Sequence, residues 1–131
     1  MVNGSARPAF GAALRALRLH LGVSLNELAR RAAIDPAYVH RIETRSADQP
    51  TIPRRPVVLR LGQALRLSPV QLDDLLSRAG YTPEALVALG GWDETLADVA
   101  RVLAEPGLSL TARAEFREVV HILARRWLAD A

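Results

Sequence analysis

Arginine is the residue through which this sequence could do chemistry. All 17 basic residues are Arg and none is Lys, and a guanidinium group can hold a phosphate or a guanine edge with two parallel hydrogen bonds. Coding bias is a second source of that exclusive use, so the placement carries more than the type. Residues 1–66 hold 11 Arg against four acids (Glu27, Asp35, Glu43 and Asp48), a net charge of +7, whereas residues 67–131 hold six Arg against ten acids, a net charge of −4. A basic half beside an acidic half suits a phosphate-binding surface next to a region that does not bind. Catalysis has no such footing. There is no Cys nucleophile, no HExxH metal motif, no Gly-rich phosphate loop and no cluster of His with carboxylates; His20 and His121 stand alone and read as surface histidines. The chain is therefore expected to be no enzyme, to bind no metal and to need no cofactor. Lack of cysteine fits a reducing cytosol. No apolar run approaches ~18 residues and the N-terminus has no signal-peptide core, so a soluble cytoplasmic protein without membrane contact is expected.

The elements that must position the arginines are helices. Ser24-Leu25-Asn26-Glu27 fits a capping box, in which the Ser hydroxyl and the Glu carboxylate satisfy each other's backbone N–H. Asp35-Pro36 starts a second helix, with Asp as cap and Pro as first helical residue. Leu25, Leu28, Ala29 and Ala32 form one apolar stripe and Tyr38, Val39 and Ile42 another. Helices this short bury such stripes only by packing at an angle around Ala32-Ala33-Ile34, which makes a helix-turn-helix. Before it, Phe10, Leu14, Leu17 and Leu21 recur at helical spacing up to Gly22. After it comes a proline-containing loop over residues 44–56, then a helix from about Pro56 burying Val58, Leu61 and Leu65. A capping box at Ser68–Gln71 opens a fifth helix with Leu72, Leu75 and Leu76 inward, ending at Gly80.

From Phe10 to about Tyr81 the chain resembles the lambda-repressor-like, or Cro-type (xenobiotic-response-element), family of bacterial and phage DNA-binding domains. The resemblance lies in Leu14-Arg15-Ala16-Leu17-Arg18, Ser24-x-x-Glu27-Leu28-Ala29, Tyr38-Val39-His40-Arg41-Ile42-Glu43, Leu61-Gly62-Gln63-Ala64-Leu65 and Leu72-x-x-Leu75-Leu76. It implies a five-helix DNA-binding domain, placed over residues 1–82; residues 1–8 lack periodicity and read as a flexible arm, and without any convincing strand the fold is expected to be all-α. Residues 83–131 follow as two or three amphipathic helices.

The resemblance also implies a site on double-stranded DNA. The second helix of the motif enters the major groove, with Pro36, Ala37, Tyr38, His40 and Arg41 toward the bases and Thr44 and Arg45 near phosphates. Arg41 can grip guanine O6 and N7; His40 and Tyr38 offer single bonds, and Pro36 and Ala37 only apolar contact to a thymine methyl. DNA shape should supply more of the readout than usual. Tyr38 can equally pack on the core edge or a sugar, and His40 can equally face solvent. Leu25 and Asn26 begin the motif's first helix against the backbone; Leu25 stands where Gln is common, leaving only its backbone N–H for a phosphate. Arg54 and Arg55 form a phosphate clamp or a solvated pair. Arg18 and Glu43 occupy positions of an ion pair that joins the first helix to the end of the recognition helix and turns spare N–H groups toward a phosphate. Ala33 replaces the usual turn Gly, adding strain of about 1 kcal/mol if its φ is positive.

Beyond Tyr81, short helices are expected from Thr82-Pro83 to Leu89 and from Asp93 to Pro106, then a last one starting between Ser109 and Thr111. Phe116, Val119, Val120, Leu123 and Trp127 make a stripe on that last helix, which either lies on the preceding core or pairs with a second subunit. The second is favoured, because five helices already close their own core. The expected function is a sequence-specific transcriptional regulator, a dimeric repressor working at the nucleoid. The alternative is an antitoxin-like or adaptor protein whose helix-turn-helix meets a regulatory protein partner.

Overall fold

Short polar side chains, those of Ser24, Asp35, Ser68, Asp93 and Ser109, cap the starts of five helices of this chain. The fold, taken from a computed structural model, is described for residues 9–46 and 48–129, so the arm expected over residues 1–8 lies outside the described residues. Among these are eight helices and no strand: α1 Phe10–His20, α2 Leu25–Ala32, α3 Pro36–Thr44, α4 Arg55–Ala64, α5 Pro69–Arg78, α6 Glu84–Leu89, α7 Glu94–Ala104 and α8 Leu110–Ala129. The class is all-α, five helices followed by three more.

Asp35 Oδ1 accepts the Ala37 N–H at 2.9 Å, with Pro36 in the first turn of α3. At α5 the capping box is complete: Ser68 Oγ accepts the Gln71 N–H at 3.2 Å and Gln71 Oε1 accepts the Ser68 N–H at 3.0 Å. At α2 only half of the expected box forms. Ser24 Oγ accepts the Glu27 N–H at 3.0 Å, but the Glu27 carboxylate turns to Arg30 (3.0 and 2.5 Å) and Arg31 (2.8 Å). Charge-assisted bonds to two guanidiniums one turn ahead outcompete a neutral amide. The Arg30 bond, then the Arg31 bond, hold the Glu27 carboxyl down to about 2.

Ala33 turns the corner between α2 and α3 in the left-handed region, at φ 57° and ψ 46°. Its Cβ is strained there, as glycine would not be. Ala33→Gly should therefore raise the stability of the domain by about 1 kcal/mol in urea unfolding. A variant less stable than the parent would show that the turn carries no such strain.

One apolar cluster unites the first five helices. Phe10 and Leu14 from α1 meet Leu28 and Ala29 from α2, Val39 and Ile42 from α3, Val58 and Leu61 from α4, and Leu75 and Leu76 from α5. Burial of each large side chain contributes roughly 1.5–3 kcal/mol, so this cluster is the main source of the domain's stability. Helix α1 packs on α3 and α5, α2 on α3 and α4, and α4 on α5. At the α1–α3 contact the two backbones approach closely: a Cβ on Gly11 would lie 2.0 Å from the Ile42 carbonyl oxygen. Helix α3 thus rests directly on the first turn of α1.

The chain divides into two compact units, Met1–Gly90 and Gly91–Ala131, eight residues beyond the boundary expected after residue 82. Helix α6 is the reason. Asp73 on α5 accepts the Glu84 N–H (2.7 Å) and the Ala85 N–H (3.2 Å), while Arg55 on α4 donates to the Thr82 carbonyl (2.6 Å) and pairs with Glu84 (3.3 Å). Within the second unit, Asp93 caps α7 and Ser109 caps α8. Arg113 of α8 donates to the carbonyls of Leu103 and Glu105. Among the described residues, none in α7 or α8 is fully buried. Phe116 and Val120 are half-buried and share a hollow of ≈ 220 Å³ with Val99 and Leu103 of α7. Val119, Leu123 and Trp127 are exposed, so α7 covers only part of the expected stripe. No described helix is long and apolar enough to cross a membrane.

Candidate nucleic-acid interface

The site is built around how α3 is held. Val39 and Ile42 are buried, which fixes the opposite side of α3, carrying Pro36, Ala37, His40, Arg41 and Thr44, toward solvent. From the α1 side, Arg18 grips the last turn of α3: its Nε donates to Glu43 Oε2 and its Nη2 to Glu43 Oε1, both at 2.8 Å. The two side chains are 9% and 2% exposed, so this is a buried, bidentate pair. The hydrogen bond to Glu43 raises the Arg18 pKa above its ordinary value against the opposing effect of burial. Arg18 Nη1 donates to the Val23 carbonyl at 3.1 Å. The guanidinium therefore ties α3 to α1 and to the turn before α2.

On the exposed side, the Arg41 guanidinium lies 5.4 Å from the centre of the Tyr38 ring, one helical turn back. This cation–π contact limits where the Arg41 side chain can swing. Tyr38 itself is half-buried against the core cluster, so its ring serves as a platform. His40 is exposed; Thr44 Oγ1 donates to the His40 carbonyl at 2.7 Å, within the helix. Arg45 follows α3 in extended conformation and is exposed.

The flanking positions fall into two groups. Asn26 is exposed at the start of α2, whereas the Leu25 side chain packs against the core and leaves its backbone N–H at the helix start. Arg54 is exposed just before α4. Arg55 is separated from it by its bonds to Thr82 and Glu84, so the two do not form a clamp. The loop between them and α3 is pinned by the Tyr81 hydroxyl, which donates to the carbonyl of buried Pro53 at 2.7 Å.

Sequence reasoning missed Gly11, Tyr81 and the Val23 carbonyl as parts that position the interface. For Gly11 a signal existed: glycine in a helix costs about 1 kcal/mol against alanine, so its presence in the first turn of α1 asks for a steric reason. Among the described residues no group of His, Cys, Asp or Glu is arranged to hold a metal ion.

The helix-turn-helix domain family model matches residues 9–75, from the residue before α1 into α5. The chain belongs to the helix-turn-helix domain family, and the match is consistent with the resemblance of its first unit to Cro and lambda-repressor-like DNA-binding domains. In general terms the protein is a DNA-binding regulator. No curated protein and no solved structure gives a significant match to the chain.

Proposed function

We propose that this protein is a sequence-specific transcriptional repressor that binds double-stranded DNA as a dimer, each copy reading one half-site with α3 in the major groove. The observation that carries the reading is the presentation of α3. Its inner face is fixed by the core and by the Arg18–Glu43 fork, while Arg41 stands over Tyr38 on the outer face. In that groove Arg41 takes guanine O6 and N7, His40 adds one hydrogen bond, and Pro36 and Ala37 meet thymine methyls. Thr44, Arg45 and Arg54, with the backbone N–H groups of Leu25 and Asn26, lie along the phosphates. Two such units on adjacent half-sites occlude the duplex, which is repression by occupancy.

The test is in-vitro selection from a random DNA pool, followed by affinity measurements on the selected and on unrelated duplexes across a salt series. Preferred sites and a steep salt dependence are expected. Failure to bind any duplex would assign the α3 surface to a protein partner instead. Arg41→Ala should cost about 1–3 kcal/mol on the preferred site and flatten selection at one base pair. Equal loss on selected and unrelated DNA would show that Arg41 meets only phosphate.

A further inference from the structure

We propose that α8 pairs antiparallel with α8 of a second copy, about a two-fold axis near Ile122. The inference rests on the dimeric reading above and specifies the surface and the orientation. Its first support is the unequal length of the two helices of the second unit. At 1.5 Å per residue, the 11 residues of α7 span about 16 Å and the 20 of α8 about 30 Å. The shorter helix cannot cover the longer one along its length. Val119, Ile122 and Leu123 remain 54%, 51% and 53% exposed, and Trp127 70%. A unit without a buried residue among those described needs apolar cover from elsewhere.

Charge identifies the occupant. Glu115 and Glu118 share the helix face of Val119 and Ile122 in the first half of α8, and Arg125 and Arg126 share it in the second half; all four are exposed. The remaining cations of α8 lie elsewhere: Arg113 is bonded to the carbonyls that end α7, and Arg117 lines the hollow on the α7 side. A second α8 running antiparallel about Ile122 sets its arginine half against this glutamate half, twice over. A parallel copy would set like against like. Within one helix, Arg125 and Glu118 meet at one long contact of 3.4 Å between side chains 66% and 63% exposed, which an opposing helix readily replaces. The pairing is isologous, as a closed dimer requires.

The sequence has no cysteine, so introduced thiols report orientation without background. Full-length Ile122→Cys, Leu123→Cys and Glu115→Cys chains would be checked for helicity and for mass under reducing conditions by sedimentation equilibrium, then oxidised. The expected mass is twice the 14.3 kDa of one chain. At least one of the two central variants should cross-link to itself. Glu115→Cys should not, since its copies would lie roughly 21 Å apart along the axis and a disulfide needs Cα atoms within about 7 Å. A parent chain that stays monomeric at high micromolar concentration overturns the dimeric reading and this pairing together, and gives the stripe to another protein or to the chain's own first unit. A dimer in which Glu115→Cys cross-links to itself, or in which neither central variant does, overturns only the antiparallel pairing.

Discussion

Glu43→Ala is expected to destabilise the first unit by about 3–5 kcal/mol, a large part of the roughly 5–15 kcal/mol by which a domain of this size is stable. The carboxylate is 2% exposed and takes two 2.8 Å bonds from Arg18, whose own side chain is 9% exposed. Removing it leaves a guanidinium without its counter-charge in a place water barely reaches. Arg18→Ala should be comparably costly for the converse reason. The double variant should cost clearly less than the two singles together, because no charge is left stranded. Urea unfolding of the four proteins measures the coupling directly. Strict additivity would mean that the fork contributes nothing as a pair. DNA affinity measured on the folded fraction separates the second role: a loosened α3 should bind selected DNA less tightly even where the domain remains folded.

The second large effect is expected at Gly11. Replacing it with Ala adds one methyl group, in a helix where alanine is intrinsically favoured by about 1 kcal/mol. That gain is outweighed. The new carbon would sit 2.0 Å from the Ile42 carbonyl oxygen and 3.1 Å from its carbon, and these atoms belong to the backbone of α3. They cannot rotate aside, so α1 and α3 must part and the shared cluster of Phe10, Leu14, Val39 and Ile42 must open. Overpacking of this kind costs about 3 kcal/mol, leaving a net loss of about 2 kcal/mol or more. Thermal unfolding should show a clear fall in Tm. A Gly11→Ala chain as stable as the parent would contradict the close approach. Ala33→Gly, with the opposite sign expected, is its natural companion, since one site lacks room for a methyl group and the other lacks a backbone suited to one.

These two residues also mark the limits of what can be read before the structure. Caps and periodicity are local signals, so Ser24, Asp35 and Ser68 located the starts of α2, α3 and α5, and the leucines of α4 and α5 gave their inward faces. The strain at Ala33 could be stated conditionally, because only its φ was missing. Arg18 and Glu43 lie 25 residues apart, and only the family resemblance named them together. Features decided by distances between helices stayed hidden. Gly11 is understood once α3 lies on it, and Arg55 parts from Arg54 once Thr82 and Glu84 arrive beside it. Of the stripe on α8, only Phe116 and Val120 reach the hollow shared with α7, and the extent of that cover is not encoded by any pattern within α8. The spacing from Ser24 to Glu27 suits a capping box, but Arg30 and Arg31 on the same helix compete for the Glu27 carboxylate.

The direct seat of α3 on Gly11, together with the fork from Arg18, has a thermodynamic consequence for the proposed complex. A helix already fixed on both sides has no ordering left to complete when a duplex arrives. Association then lacks the large negative heat-capacity change and the entropy loss that accompany folding coupled to binding. What calorimetry would register is the water released from the two surfaces that meet and the ions displaced from the phosphates, with α3 contributing as a preformed solid part.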